Sequence, residues 1–490
     1  SLLEMEESAM ILVDNHKKCS AVVHFAFQDS LAESGLSKQI LSIFDASRFS
    51  EFHTFLKSTL HVWIGLGEEK DLTLTHVKSA AALASKTMRK LKQKEYLVDA
   101  SPIVSLYGID SVYDLTTGFM LGLYHYEGHY SKVQPKYDFK AYLQGFEDEH
   151  QAEIQEIVNK SANIADGVMM ARDWVNMPGN LLNPVTLAEK IAAEGKASGC
   201  EVKVVDIEEA KKLNMNLFLS IGLSSDYPCS VVVLRYMGNP DDKEVTALVG
   251  KGVTLDTGGY SLKSRDGLIN TKGDMGGAAA VTAAVCTLAK NKAKANVLAV
   301  VPIVENRLSN SSTIPGDVVT AMNGKTVEIL STDAEGRMIL ADAITYAIRV
   351  EKADRIVDVA TLTGAIAAAY GKVRAGLMTN DDCFEDELLR AGARASEKYV
   401  DLPTDEEYRE MVNGRVADLA NSTRSGCGSI VAGLFLREFA EDHPWIHLDI
   451  AGVARVDKPL YEFQSEGATG ASAATMYFLM DRHFTAADRF

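Results

Sequence analysis

The sequence predicts an α/β protein, with a mostly parallel sheet flanked by helices in its C-terminal domain and a smaller α/β domain before it. Three observations predict this. From about residue 185, short apolar runs alternate with stretches of helical spacing. Those runs are mostly apolar, as strands covered on both faces are. A long charged stretch of helical character separates this pattern from the first 150 residues.

In chain order, residues 1–150 are expected to form the smaller domain. Runs at 21–27 and 61–66 read as strands, and 73–92 has helical spacing with few breakers. The segment Tyr124-His-Tyr-Glu-Gly-His129 places two histidines four apart, but Gly128 weakens a helix there and H-E-x-x-H is absent, so a surface or packing role is expected. Residues 151–184 are expected to be a connecting helix and linker, which the prolines of Asn176-Met-Pro-Gly-Asn-Leu-Leu-Asn-Pro184 interrupt. The second domain spans 185–490. Its strand candidates are 245–249, 297–304, 355–362 and 446–450, with helices at Gly276–Lys290 and 336–349 between them. Ligands of such sheets bind at the carboxyl ends of the strands.

The chain has 490 residues, enough for two to four domains at roughly 100–200 residues each. At 47% hydrophobic and 24% charged it can bury a large core. With 50 basic and 67 acidic residues the net charge is −17, which disfavours nucleic acid and anionic membrane as partners. No apolar run reaches the ~20 residues of a membrane span. Cys19, Cys200, Cys229, Cys286, Cys383 and Cys427 are scattered without a C-x-x-C pair, so reduced thiols are expected. The first residues carry acids where a signal peptide carries Lys or Arg before an apolar stretch. The expected compartment is the cytoplasm, with any targeting segment upstream of Ser1 outside this reading.

The chemistry concentrates in three loops. Val249-Gly-Lys251-Gly-Val-Thr-Leu-Asp256-Thr-Gly-Gly-Tyr-Ser-Leu-Lys263 runs from an apolar strand into a glycine-rich loop. Neither G-x-x-x-x-G-K-[ST] nor the dinucleotide fingerprint is present, and its glycines are expected to let backbone approach a ligand. Asn270-Thr-Lys-Gly-Asp274 precedes a helix of small residues. Ser331-Thr-Asp333-Ala-Glu335-Gly-Arg337 precedes another, and in an extended loop Asp333 and Glu335 point to one side. Each acid alone reads as a helix cap or a partner of the helix dipole. Together, four carboxylates repel one another unless cations intervene, and oxygen-rich sites suit Mg²⁺, Mn²⁺ or Zn²⁺. Four carboxylates can hold two ions, which activate a bridging water when ~3.5–4 Å apart.

These segments resemble the leucyl aminopeptidase family, whose signature N-T-D-A-E-G-R-L reads Ser331-Thr-Asp-Ala-Glu-Gly-Arg-Met338 here. The similarity includes Asp274-Met-Gly-Gly, Ala360-Thr361-Leu362-Thr-Gly364 and His447-Leu-Asp-Ile-Ala-Gly452, and it extends over about 170–480. It implies a metallo-aminopeptidase that removes the N-terminal residue from peptides with a free N-terminus. Asp256 and Glu335 would bridge two divalent metals, Zn²⁺, Mn²⁺ or Mg²⁺. Lys251 and Asp274 would complete the tighter site and Asp333 the more exchangeable one. Lys263 would stabilise the oxyanion, and Arg337 would hold a bicarbonate that acts as general base. Thr271, Thr361, Leu362 and Gly364 would bind substrate. The resemblance also implies a macro-like N-terminal domain and a homohexamer. Thr271 departs from the family's usual Met in the pocket for the first side chain, giving a more polar wall. Two other classes compete: a two-metal phosphoesterase, whose sites usually include His, and a non-catalytic scaffold or nucleic-acid binder, which the acidic charge disfavours. None of the 11 histidines falls in the ligand segments.

Overall fold

The structure, a computed structural model, describes residues 11–484. It forms two compact units, one of the residues up to Asp166 with Lys458–Glu466, the other of Gly167–Asp457 with the residues from Gly467 on. The helix Gln151–Asn176 contributes to both.

The smaller unit holds β1 (Ile11–Val13), β2 (Ala21–Ala26), β3 (Glu51–Leu56), β4 (Thr59–Gly65), β5 (Glu95–Asp99) and β6 (Lys140–Gln144), in sheet order β1-β6-β5-β2-β4-β3. All neighbours are parallel except the β3–β4 hairpin. The helices Leu74–Lys90 and Val112–Leu121 approach closely because Gly118 lacks a Cβ, which would stand 2.3 Å from the Lys78 carbonyl oxygen. Residues 124–130 are not helical, so His125 and His129 do not share a helix face. His129 Nε2 instead meets the Tyr126 hydroxyl at 2.5 Å.

The larger unit holds β7 (Glu201–Val205), β8 (Ser230–Met237), β9 (Thr246–Gly250), β10 (Gly252–Asp256), β11 (Asn296–Asn306), β12 (Val318–Thr320), β13 (Thr326–Glu328), β14 (Arg355–Ala360), β15 (Ala375–Thr379), β16 (Tyr399–Asp401), β17 (Leu419–Ala420), β18 (Trp445–Asp449), β19 (Arg455–Val456) and β20 (Gly467–Ala468). Nine of these make the main sheet, ordered β16-β15-β18-β14-β9-β11-β8-β7, with β10 pairing to β11 beyond the end of β9. Its centre, β18-β14-β9-β11, is parallel. Strands β9, β11, β14 and β18 are buried along their whole length, which explains their mostly apolar runs. Each fully buried Val, Leu or Ile there contributes about 1.5–3 kcal/mol. The four apolar runs therefore mark the true strands to within two residues. Strands β8 and β15 extend the sheet antiparallel, beyond what those runs predict.

Helices Gly276–Lys290 and Glu335–Arg349 are buried almost throughout. No described helix is long and apolar enough to cross a membrane. All six cysteines are free thiols, as expected.

Glycines let the Gly276–Lys290 helix start against the sheet. A Cβ on Gly277 would lie 1.9 Å from the Val359 carbonyl oxygen and 2.9 Å from the Lys251 nitrogen. Those are backbone atoms and cannot swing aside. Gly277→Ala is therefore expected to destabilise the fold by at least about 1–3 kcal/mol. A urea midpoint equal to that of the unaltered protein would refute this packing.

Candidate active site

Three of the central strands end beside one another and deliver the polar loops. Between β9 and β10 the chain steps sideways at Lys251, and the step needs glycine on both sides. A Cβ on Gly250 would stand 2.5 Å from the Gly277 carbonyl oxygen, and one on Gly252 2.5 Å from that of Pro302. These two glycines thus serve backbone packing, not the approach of a ligand. Strand β10 ends on Asp256, and β14 runs out into Thr361 and Leu362.

The five acids and lysines predicted to act together do converge. Lys251 Nζ donates to Asp274 Oδ1 at 2.7 Å and to the Thr361 carbonyl at 2.9 Å, and lies 3.0 Å from Glu335 Oε1. Lys263 Nζ lies 2.6 Å from Asp333 Oδ1 and 3.0 Å from Asp256 Oδ2. Carboxylate oxygens of Asp256, Asp333 and Glu335 all fall within 4.8 Å of one another. Room for Lys251 comes from Gly336, where a Cβ would stand 2.5 Å from Lys251 Cε. Residues Thr332 and Asp333 form a turn and Glu335 opens the helix Glu335–Arg349, so a turn, rather than the expected extended loop, brings the two acids to one side.

Hydrogen bonds lock these loops together. Asp256 Oδ1 accepts from the Gly258 amide and from Asn306 Nδ2, both at 2.9 Å. The Thr332 hydroxyl donates to the Gly258 carbonyl at 2.6 Å and accepts from the Ser261 amide at 2.8 Å, tying the 256–263 loop to the 331–335 turn. Asn421, fully buried, accepts from the Leu330 and Ser331 amides and returns a bond to the Ser331 carbonyl at 2.7 Å. Its own carbonyl takes Arg337 Nη1 at 2.8 Å. Asp449 accepts from the Leu362 and Thr363 amides and from the Thr363 hydroxyl, fixing the loop after β14.

Four carboxylates here face two ammonium groups, an excess of negative charge. Burial would pull the Lys251 ammonium down, but Asp274, Glu335 and Asp256 outweigh it and hold the proton more firmly than usual. Lys263 is raised in the same way by Asp256 and Asp333. Burial and repulsion from Asp256 push Asp333 up to about 7 against the pull of Lys263, and burial with Asp256 raises Glu335. Such a site attracts cations, and the oxygen-rich donor set fits divalent metals. Arg337 is buried, which pulls its guanidinium down to about 10, and its Nε has no hydrogen-bond partner. An anion in the cavity would satisfy that donor.

All eleven residues singled out from the sequence line one cavity of about 540 Å³: Lys251, Asp256, Lys263, Thr271, Asp274, Asp333, Glu335, Arg337, Thr361, Leu362 and Gly364. No histidine lines it, unlike the usual phosphoesterase site. Thr361 also donates its hydroxyl to Asp274 Oδ1 at 2.7 Å. Sequence reasoning missed Asn306, Asn421 and Asp449. Asn306 carried a signal, since Glu305-Asn306 ends an otherwise apolar run.

Residues 169–477 match the catalytic domain of the cytosol aminopeptidase family, and residues 54–132 match its N-terminal domain. The chain belongs to the cytosol aminopeptidase family. Cytosol aminopeptidases of this family are metal-dependent peptide-bond hydrolases, and this chain is one of them. It is 38% identical to a probable cytosol aminopeptidase of Clostridium perfringens over 424 residues, 86% of each chain. A Treponema denticola protein of the same description is 33% identical over 473 residues, 95% of this chain and 98% of its own. Among solved structures, the bottromycin maturation enzyme BotP superposes with a TM-score of 0.85 at 29% identity, covering 94% of this chain and 98% of BotP. BotP has also been solved in complex with Mn, with the same TM-score.

Asn421 carries the turn that presents Asp333 to the cavity of this aminopeptidase. Asn421→Ala strips buried groups of their partners, at about 1–3 kcal/mol for each group left unsatisfied. We expect a lower melting temperature together with a weakened catalytic rate, and wild-type values of both would contradict its role.

Proposed function

We propose that this cytosol aminopeptidase hydrolyses the first peptide bond of substrates with a free N-terminus at two divalent cations, Zn²⁺, Mn²⁺ or Mg²⁺. The observation that carries the proposal is the convergence of Lys251, Asp256, Asp274, Asp333 and Glu335 beside Lys263 and Arg337 on one cavity. When bound, the cations supply Lewis acidity and an activated water.

The chain's own residues divide the remaining work. Asp256 and Glu335 would hold both cations, with Lys251 and Asp274 as the further ligands of one and Asp333 of the other. As a ligand, Lys251 would have to give up the proton that the surrounding carboxylates hold on it. Lys263 has three N–H donors and two carboxylate partners, which leaves one donor for the developing oxyanion. Arg337, with its unpartnered Nε, would hold a bicarbonate that serves as the general base. The first side chain lies along Thr271, Thr361 and Gly364, with the Leu362 main chain beside it. The chemistry belongs to the larger compact unit. The reading includes a homohexamer and a cytosolic setting, supported by the family resemblance and by the names of the relatives.

Purified, metal-loaded protein should release p-nitroaniline from aminoacyl p-nitroanilides and leave p-nitrophenyl phosphate intact. Lys263→Ala should lower kcat by about 10²–10³-fold, the usual cost of one oxyanion donor. Glu335→Ala should lower it further while the far-UV dichroism stays native. Near-normal turnover in either variant would sink the assignment. Chelation should abolish turnover, with recovery on adding Zn²⁺ or Mn²⁺, and light scattering should give six chain masses.

A further inference from the structure

One wall of the cavity carries two cations that the chemistry above does not use. Lys272 and Arg455 both line it. Among the described residues neither forms an ion pair. Lys272 Nζ donates to the main-chain oxygen of Asn176 at 3.1 Å. Arg455 is half-buried, and its Nη1 is buried without any hydrogen-bond partner. Burial pulls the Arg455 guanidinium down; the charge of exposed Asp457, two residues on, acts against that pull, but the two form no ion pair.

Their position relates directly to the acid cluster. Arg455 Nη1 lies 3.5 Å from where a Cβ of Gly273 would stand, next to Asp274. Thr361, whose hydroxyl holds Asp274, and Ala454 flank the neighbouring Gly276 at 3.2 and 3.9 Å from its missing Cβ. Thr271, Gly273, Thr361, Ala451 and Ala454 line the cavity here with the two cations, and together they form a trough beside Asp274. An N-terminal residue whose amine reaches the acid cluster carries its side chain on the adjacent carbon, within reach of this trough.

Unpaired cations in a half-buried wall favour an anion. An apolar side chain would desolvate both without compensation. A basic one would be repelled. A carboxylate one or two methylenes from Cα would pair with both, and guanidinium with carboxylate makes the strongest such pairing. We propose that Lys272 and Arg455 select peptides whose first residue is glutamate or aspartate. This deepens the aminopeptidase reading and rests on it.

The test compares isosteric substrates on the metal-loaded enzyme. A charge-assisted hydrogen bond in such a wall is worth about ten- to a hundredfold in affinity. The kcat/KM for glutamyl p-nitroanilide should thus exceed that for glutaminyl p-nitroanilide by at least about tenfold. Arg455→Met and Lys272→Met should each move that ratio toward one, mainly through KM, and Arg455→Lys should recover part of it. Thermal melts confirm that each variant is folded, and the more exposed Lys272 supplies the measurement if Arg455→Met does not fold. Calorimetry with the aminophosphonate analogues of glutamate and glutamine gives the same comparison without turnover. Hydrolysis of leucyl and glutaminyl substrates at or above the glutamyl rate overturns the selectivity and leaves the aminopeptidase reading standing. Failure to hydrolyse any aminoacyl substrate overturns both.

Discussion

Mutual repulsion among four carboxylates is the constraint around which the larger unit is built. Asp256, Asp274, Asp333 and Glu335 come from three loops and would drive those loops apart if nothing opposed them. Lys251 and Lys263 oppose it directly, each lying between two acids. The lysines in turn need space and fixed approach. Gly336 gives Lys251 its channel, Gly277 lets a helix start against the backbone nitrogen of Lys251, and Thr332 with Ser261 holds the Lys263 loop to the 331–335 turn. The parallel strands supply what loops alone cannot, a rigid edge from which all of these segments depart together.

Much of this was legible in the sequence, for physical reasons that particular residues show. Strands β9, β11, β14 and β18 announce themselves because both faces are covered and most positions are apolar. The acids announce themselves because carboxylates crowded into strand-to-helix loops need a cation. Asn421 could not be found this way. Its partners Leu330, Ser331 and Arg337 lie 84 to 91 residues back along the chain, and a lone asparagine in a loop carries no mark of which amides it will meet. Asp449 was hidden likewise, since it reaches the 362–363 amides only because β14 and β18 pair in register, Ala360 opposite Asp449. The glycines beside Lys251 were visible but misread, because a close approach to ligand and a close approach to backbone leave the same residue in the sequence.

The two sides of this cavity are built differently. The reactive side has every carboxylate tied into hydrogen bonds or ion pairs across several elements. The trough beside Asp274 is lined by small residues and two cations with few bonds of their own. Thr271 belongs to that second kind of wall, buried and bonded only to the Leu268 carbonyl through its hydroxyl.

The pairing of β18 between β14 and β15 bears on when during biosynthesis the site can exist. All five proposed ligands have been synthesised by Glu335, yet the loop holding Thr361 is fixed by Asp449, more than a hundred residues later. A central strand must therefore be inserted last among its neighbours, a non-local step that is slow in folding. A ribosome-bound chain that ends before β18 carries the ligands but lacks the strand that sets the loop beside them. The loop beside the ligands is in this way set only once β18 has joined the sheet between β14 and β15.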